Sequence, residues 1–369
     1  MAALSDDAIM ATLGNIRVPG KDQDVISLGM ITGVHIREGH VQFAVNVDPA
    51  DGPKMEPLRK ACEDAVRNIP GVLSVTAILT AERQAETTPR PQPAPRPPQQ
   101  SNKLELPGVK SIIAVASGKG GVGKSTTSVN LALALKQMGK KVGILDADIY
   151  GPSIPRMLGI SGKPDSSSEK LLPPSNYGLV AMSMGFLVEE DTPMIWRGPM
   201  VMSALEQLLR DVAWGELDVL VIDMPPGTGD AQLTLAQRAP LTGAVIVSTP
   251  QDVALIDARK GIGMFERVEV PVLGMIENMS YFICPDCGSQ HEIFGHGGAR
   301  DVAQEIGCHF LGEIPLHINI RTNSDDGTPI METDPDGPLA AAYRQVAAGV
   351  AARIEEIQAS SGGPNIVFQ

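Results

Sequence analysis

Residues 118 to 126 read Gly118-Lys119-Gly120-Gly121-Val122-Gly123-Lys124-Ser125-Thr126 and follow the apolar run Ile112-Ile113-Ala114-Val115-Ala116. A turn so rich in glycine lets the backbone go left-handed and bring its N–H groups close to phosphate oxygens. Gly118, Gly120, Gly121 and Gly123 supply that freedom. Lys124 would reach the β and γ phosphates, and Ser125 would hold Mg²⁺ through its hydroxyl. A helix starting near Thr126 would aim its positive end at the same ligand. The required context is present: a strand before the loop and an amphipathic helix after it (Val129, Leu131, Leu133, Leu135, then Gly139).

Hydrolysis of a bound triphosphate needs carboxylates as well. Asp146 and Asp148 lie in Leu145-Asp146-Ala147-Asp148-Ile149-Tyr150-Gly151-Pro152, directly after an apolar strand, where both could reach the phosphates. Asp223 ends a second apolar run, Val219-Leu220-Val221-Ile222, and precedes Met224-Pro225-Pro226-Gly227-Thr228-Gly229-Asp230. An aspartate at such a strand end usually steadies Mg²⁺ from outside its direct ligands, and Gly227 can offer its N–H to the γ phosphate.

A different chemistry is written into Tyr281-Phe282-Ile283-Cys284-Pro285-Asp286-Cys287-Gly288, with His291 and His296 close behind. Two cysteines separated by two residues can ligate one metal centre, and Pro285 and Gly288 favour the tight turn this needs. Two thiolates do not close a tetrahedral site. Either His291 and His296 complete it, or a second subunit brings its own pair to a two-fold axis, and symmetry favours the second. A redox dithiol would normally open a helix after a thioredoxin-like strand, a setting this loop lacks. Cys62 shares an apolar helical face with Leu58 and Ile69, and Cys308 stands just before a strand, so both suit a core.

These groups must be positioned by a chain of 369 residues, long enough for two domains with aliphatic cores, since aromatic residues make up only 4%. From Gln84 to Glu105 the composition turns to Pro, Gln and Arg, an extended linker. Before it, a helix over 5 to 16, strands over 25 to 36 and 41 to 47 with a turn at Glu38-Gly39, a helix carrying Met55, Leu58, Cys62, Ala65 and Ile69, and a strand over 72 to 79 predict a small α+β domain. After it, apolar strands at 112–116, 142–145, 179–184, 219–222, 244–248, 272–276 and 310–312 alternate with helices, which predicts an α/β domain with a mainly parallel sheet. A last helix over 339 to 357 puts Leu339, Tyr343, Val346, Val350, Ile354 and Ile357 on one face. The expected domains are 1–83, a linker 84–107, a P-loop domain 108–358 and a tail 359–369.

The formal charge of -13 and a pI near 4.9 argue against nucleic-acid partners, whose phosphates call for dense Lys and Arg. The first residues are acidic where a targeting peptide would be basic, and no apolar run approaches the roughly 20 residues of a membrane span. A cytoplasmic protein without membrane contact is expected.

Together these blocks resemble the deviant-Walker P-loop ATPases of the MinD and ParA group over about residues 108 to 345. The resemblance implies ATP with Mg²⁺ as ligand, and a homodimer in which the extra loop lysine, Lys119, contacts nucleotide across the interface. It assigns Asp148 to the attacking water, Asp146 to Mg²⁺ support and the switch region, and Asn278 with backbone near Pro315 to the adenine. A cation delivered in trans can be worth roughly 10³ to 10⁵ in rate. With Cys284, Cys287 and the stretch Asn278 to Ala299, the chain is similar to the Mrp/ApbC family of iron–sulfur cluster carriers. The front domain is similar to one preceding many bacterial members of that family. There a cysteine often stands where this chain reads Asp48-Pro49-Ala50-Asp51-Gly52-Pro53. What the resemblance implies is a dimer holding a [4Fe-4S] cluster through Cys284 and Cys287 of each subunit and passing it to apo-proteins, with ATP hydrolysis serving transfer. A positioning ATPase of the MinD/ParA type and a zinc-stabilised regulatory dimer are the alternatives.

Overall fold

In His40–Asn46, buried and more exposed side chains alternate, as a strand with one face on a core requires. In contrast, the strands Val142–Asp146, Leu217–Asp223 and Gly243–Ser248 are buried on both faces, which only a sheet covered by helices on each side provides. The computed structural model describes residues 6–19, 23–37, 40–47, 55–80, 103–166, 170–187 and 198–361. Most of the predicted linker, the Glu38-Gly39 turn, the Asp48–Pro53 stretch and the last eight residues lie outside that set. Two units emerge, Met1–Gln99 and Gln100–Gln369.

The first unit contains α1 (Asp6–Leu13), β1 (Ile31–Arg37), β2 (His40–Asn46), α2 (Glu56–Arg67) and β3 (Ser74–Thr80). β1 pairs antiparallel with β2, and β3 joins β2 in parallel after the α2 crossover. Its core gathers Ile9 and Leu13 of α1, Val41, Phe43 and Val45 of β2, and Leu58, Cys62 and Val66 of α2. The strand predicted from Val25 begins only at Ile31. Asp24 accepts from the N–H groups of Ile26 and Ser27 and from the Ser27 hydroxyl, and this local bonding turns residues 25–29 away from a ladder.

In the second unit the order is β4 (Val109–Ala116), α3 (Lys124–Gln137), β5 (Val142–Asp146), α4 (Ile154–Met157), β6 (Ser175–Asn176), β7 (Leu179–Ser183), α5 (Gly198–Arg210), β8 (Leu217–Asp223), α6 (Asp230–Arg238), β9 (Gly243–Ser248), α7 (Asp252–Arg267), β10 (Val272–Ile283), β11 (Gln290–His291), α8 (Gly298–Ile306), β12 (Phe310–Leu316), α9 (Ile318–Asp325), α10 (Ile330–Thr333) and α11 (Pro338–Ser361). Among the described residues one sheet runs β11-β10-β9-β4-β8-β5-β7-β6, with β12 also on β10. Only the short β11 and β6 pair antiparallel, so the predicted α/β architecture with a mainly parallel sheet is what forms. α11 buries Tyr343, Val346, Val350 and Ile354, the face expected from its spacing. No helix among the described residues is long and apolar enough to cross a membrane.

One strand outruns its prediction. β10 continues from Val272 to Ile283 rather than ending at Ile276, and so carries Asn278 inside it. Its register to β12 breaks between Asn278 and Phe282, where Met279 takes a left-handed φ of 55°. The bulge re-aims the chain without ending the strand.

Candidate functional site

The carboxyl ends of three neighbouring strands meet at the glycine loop. β4 lies between β9 and β8, and β8 pairs β5 with Asp146 opposite Asp223. Crevices at such strand ends are where open α/β sheets bind ligands. Within the loop, Gly121 and Gly123 adopt φ values of 81° and 79°, which favour glycine. Gly118 is required for a different reason. A Cβ there would sit 2.2 Å from the Asp257 carbonyl carbon of α7. α3 starts at Lys124, two residues before Thr126, so Ser125 and Thr126 lie in its first turn, and the Thr126 carbonyl accepts from Asn130.

Lys124 is almost fully buried, and its ammonium lies 2.8 Å from Asp223 Oδ1. Asp223, wholly buried, also accepts from the hydroxyls of Ser125 and Ser128 at 2.6 Å each. Desolvation of both charges is thereby offset by pairing and hydrogen bonds. Asp146 is buried too and accepts from the N–H groups of Asp148, Ser153 and Ile154 and from the Ser183 hydroxyl. Burial, then the nearby Asp223 charge, pushes its carboxyl up to about 7. Asp148 is half-buried, and burial raises its carboxyl above the ordinary range although Lys124 pulls the other way. Gly227, with φ of 98°, uses its N–H on the Ser117 carbonyl at 2.9 Å. Lys119 is half-buried, and its carbonyl accepts from Ser117 Oγ.

Asn278 lies under this loop. Its amide nitrogen donates to the Val122 carbonyl at 2.8 Å and approaches the Cα of Gly123 so closely that a Cβ there would fall 2.1 Å from it. The structure therefore brings together Gly118 to Thr126, Asp146, Asp148, Asp223, Gly227 and Asn278.

Cys284 and Cys287 sit on the hairpin between β10 and β11. The Cys284 N–H donates to the Ser289 carbonyl, and the Gly288 N–H returns to the Cys284 carbonyl, each at 2.9 Å. Cys287 is exposed and Cys284 half-buried. Hydrogen bonds from Ser289, and then from Cys284, hold the Cys287 thiol below its ordinary value, which favours the thiolate a metal needs. Neither histidine closes a site with them. His291 lies tilted against Phe282, while His296 turns to Glu313 at 3.2 Å. The trio Glu277, His296 and Glu313 is the one group of three candidate ligand residues gathered within 4.8 Å among the described residues, and it contains no cysteine. Its carboxylates are engaged by Gly297 and Ala299 N–H groups and by Arg300. Cys62 is fully buried with its thiol pushed up to about 11, and Cys308 is half-buried.

Sequence reading missed Ser128, Ser183 and Glu277. Ser128 lies one helical turn after Lys124, a spacing that signals a shared face. Glu277 had a plainer signal, a charge directly continuing the apolar run Val272 to Ile276.

Known proteins match both units of the chain. The family described as NUBPL iron-transfer P-loop NTPase matches residues 108–351, and a family described as iron-sulfur cluster assembly protein matches residues 6–77. The iron-sulfur cluster carrier protein of Synechocystis is 45% identical over 95% of this chain and 98% of its own. That of Escherichia coli is 57% identical over 69% of each chain. A nucleotide-binding protein of Archaeoglobus fulgidus, solved with ADP, is 45% identical, covers 63% of this chain and 91% of its own, and superposes with a TM-score of 0.56. The MinD ATPase of Pyrococcus furiosus, 20% identical with a TM-score of 0.51 over 66% of this chain and 99% of its own, shares the fold. With the family model spanning residues 108–351 and a carrier protein 45% identical along nearly the whole chain, the chain belongs to the NUBPL iron-transfer P-loop NTPase family.

Proposed function

We propose that this protein is an ATP-dependent iron–sulfur cluster carrier that works as a homodimer and passes its cargo to apo-proteins. The observation that carries the reading is the Cys284–Cys287 hairpin, which offers two thiols and no third ligand from its own chain among the described residues. A second copy supplying the same pair gives four thiolates, the set a [4Fe-4S] cluster takes. Exposed Val253 and Ile256 on α7, and Ile283 and Ile293 around the cysteines, are apolar surface suited to such a contact. The domain division proposed with it is 1–83, 84–107, 108–358 and 359–369.

In the nucleotide site, Lys124 would turn from Asp223 to the phosphates; Ser125, Asp223 and Asp146 are the residues that would hold Mg²⁺, which would neutralise phosphate charge there. Asp148, its carboxyl raised by burial, accepts the proton of the attacking water more readily than an exposed aspartate would. Lys119 of each copy reaches the other's nucleotide, Gly227 gives up the Ser117 carbonyl to offer its N–H to the γ phosphate, and Asn278 fixes the loop and borders the adenine. Hydrolysis on this scheme is slow and tied to dimer formation.

Anaerobic reconstitution with iron and sulfide tests the reading. One brown [4Fe-4S] chromophore per two chains, lost in Cys284→Ala and Cys287→Ala, is expected. Tight, colourless zinc at the same cysteines and no cluster would refute it.

A further inference from the structure

The mechanism above leaves one fully buried charge without a role. Glu277 is 0% exposed, yet no lysine or arginine pairs with it among the described residues. Its compensation comes from three donors: Ser280 Oγ at 2.6 Å, Gly297 N–H at 2.8 Å and Ala299 N–H at 2.7 Å. Two of these open α8, the element that follows the cysteine hairpin, so the carboxylate pins the exit of that hairpin to β10. Buried carboxylates cost a great deal unless fully hydrogen-bonded, which makes the clamp strict about geometry.

The same strand grips the glycine loop. Asn278, next to Glu277, points to the opposite face and holds the Val122 carbonyl. Met279, in the left-handed bulge, places its methyl against Gly123, where a Cβ would be 3.7 Å away. The bulge also brings Ser280 round to Glu277, a meeting that regular alternation would forbid. Five residues after Met279 comes Cys284.

A second contact chain runs parallel to the first. At Gly298 a Cβ would strike Leu255 of α7 at 2.6 Å, and one turn along the same helix Asp257 and Ala258 press on Gly118. The hairpin exit is thus held between β10 and α7, and each of those elements touches the glycine loop.

We propose that Glu277 is a positioning residue that transmits the state of the nucleotide loop to the cysteine hairpin, by clamping Gly297 and Ala299 to the strand that grips Val122 and Gly123. The proposal rests on the nucleotide-binding and cluster-carrying roles proposed above. Closely packed elements move as bodies, so a shift at Gly123 that displaces the bulge displaces the hairpin with it.

Amide hydrogen exchange on the full-length, cluster-free protein, with and without Mg²⁺ and a non-hydrolysable ATP analogue, tests the clamp apart from the cargo. In wild type, nucleotide is expected to slow exchange in residues 117–128 and to change it in residues 283–299. In Glu277→Gln the first response stays and the second is lost, because an amide NH₂ replaces an oxygen that accepts from backbone N–H. Ser280→Ala, which keeps the carboxylate and both backbone N–H bonds but removes one of the two donors on Oε1, is expected to weaken the second response without abolishing it, and it serves where the Gln variant does not fold. On reconstituted protein, Glu277→Gln should load cluster normally while the ratio of transfer rates with and without nucleotide falls to one. A wild type that responds only in residues 117–128, or variants that respond in 283–299 as wild type does, overturn the clamp and leave the carrier reading intact. No response in 117–128 would overturn nucleotide binding and the clamp together, and failed reconstitution beside a normal exchange pattern would overturn the carrier reading alone.

Discussion

Gly118→Ala separates steric need from conformational need inside the glycine loop. The added methyl would lie 2.2 Å from the Asp257 carbonyl carbon, 2.4 Å from its oxygen and 2.6 Å from the Ala258 nitrogen. All three atoms are backbone in α7, so no side chain can swing away. Ordinary carbon contacts begin near 3.5 Å, so loop and helix must part by roughly 1 Å. Overpacking of this kind costs about 1–3 kcal/mol. For a unit of this size that is a fall of about 3–10 °C in melting temperature of the nucleotide-free protein. The displaced loop also loses N–H contacts to phosphate, and each charged hydrogen bond is worth about 1.5–3 kcal/mol, so fluorescent ATP should bind roughly tenfold or more weakly. Gly120→Ala is the internal control. Its methyl meets nothing nearer than Pro226 Cβ at 3.9 Å and its φ is not left-handed, so melting should hold while binding alone weakens. A Gly118→Ala protein that melts as wild type does, or a Gly120→Ala protein that melts equally early, would refute the packing argument.

The Asp146 carboxyl predicts a pH profile. It ionises near 3.8 in the unfolded chain and near about 7 when buried. Between those values only the unfolded chain gives up the proton, so stability falls as pH rises from 4 to 7 and then levels off. Asp146→Asn lacks that decline, and its melting temperature relative to wild type should improve from pH 5 to pH 7.5. Parallel profiles would remove the basis for it. Alkylation should distinguish the cysteines: iodoacetamide at pH 7 labels exposed Cys287 first and Cys62 last, since burial pushes the latter thiol up to about 11. Mass spectrometry showing Cys62 labelled at a comparable rate would contradict the core placement.

What the sequence made legible follows from the range over which each signal acts. The phosphate loop, the Asp146 and Asp148 pair and the cysteine hairpin are local, since spacing within about ten residues already constrains which groups share a turn or a strand end. The parallel sheet was legible for a related reason, because doubly buried strands such as Val219–Ile222 admit few other architectures. Failures came where a local feature competes with the pattern. Val25 looked like strand until Asp24 captured the N–H groups of Ile26 and Ser27. Met279 looked like the far side of a strand end, yet its left-handed φ keeps β10 going to Ile283. Other losses were long-range. Glu277 and Ala299 stand 22 residues apart and Asn278 and Val122 stand 156 apart, and no periodicity connects them. Such contacts depend on how β10, α7 and α8 pack, so they fall outside what spacing encodes. They are also the contacts on which the proposed coupling rests, because a glycine loop and a cysteine hairpin on separate elements affect each other only through groups that touch both.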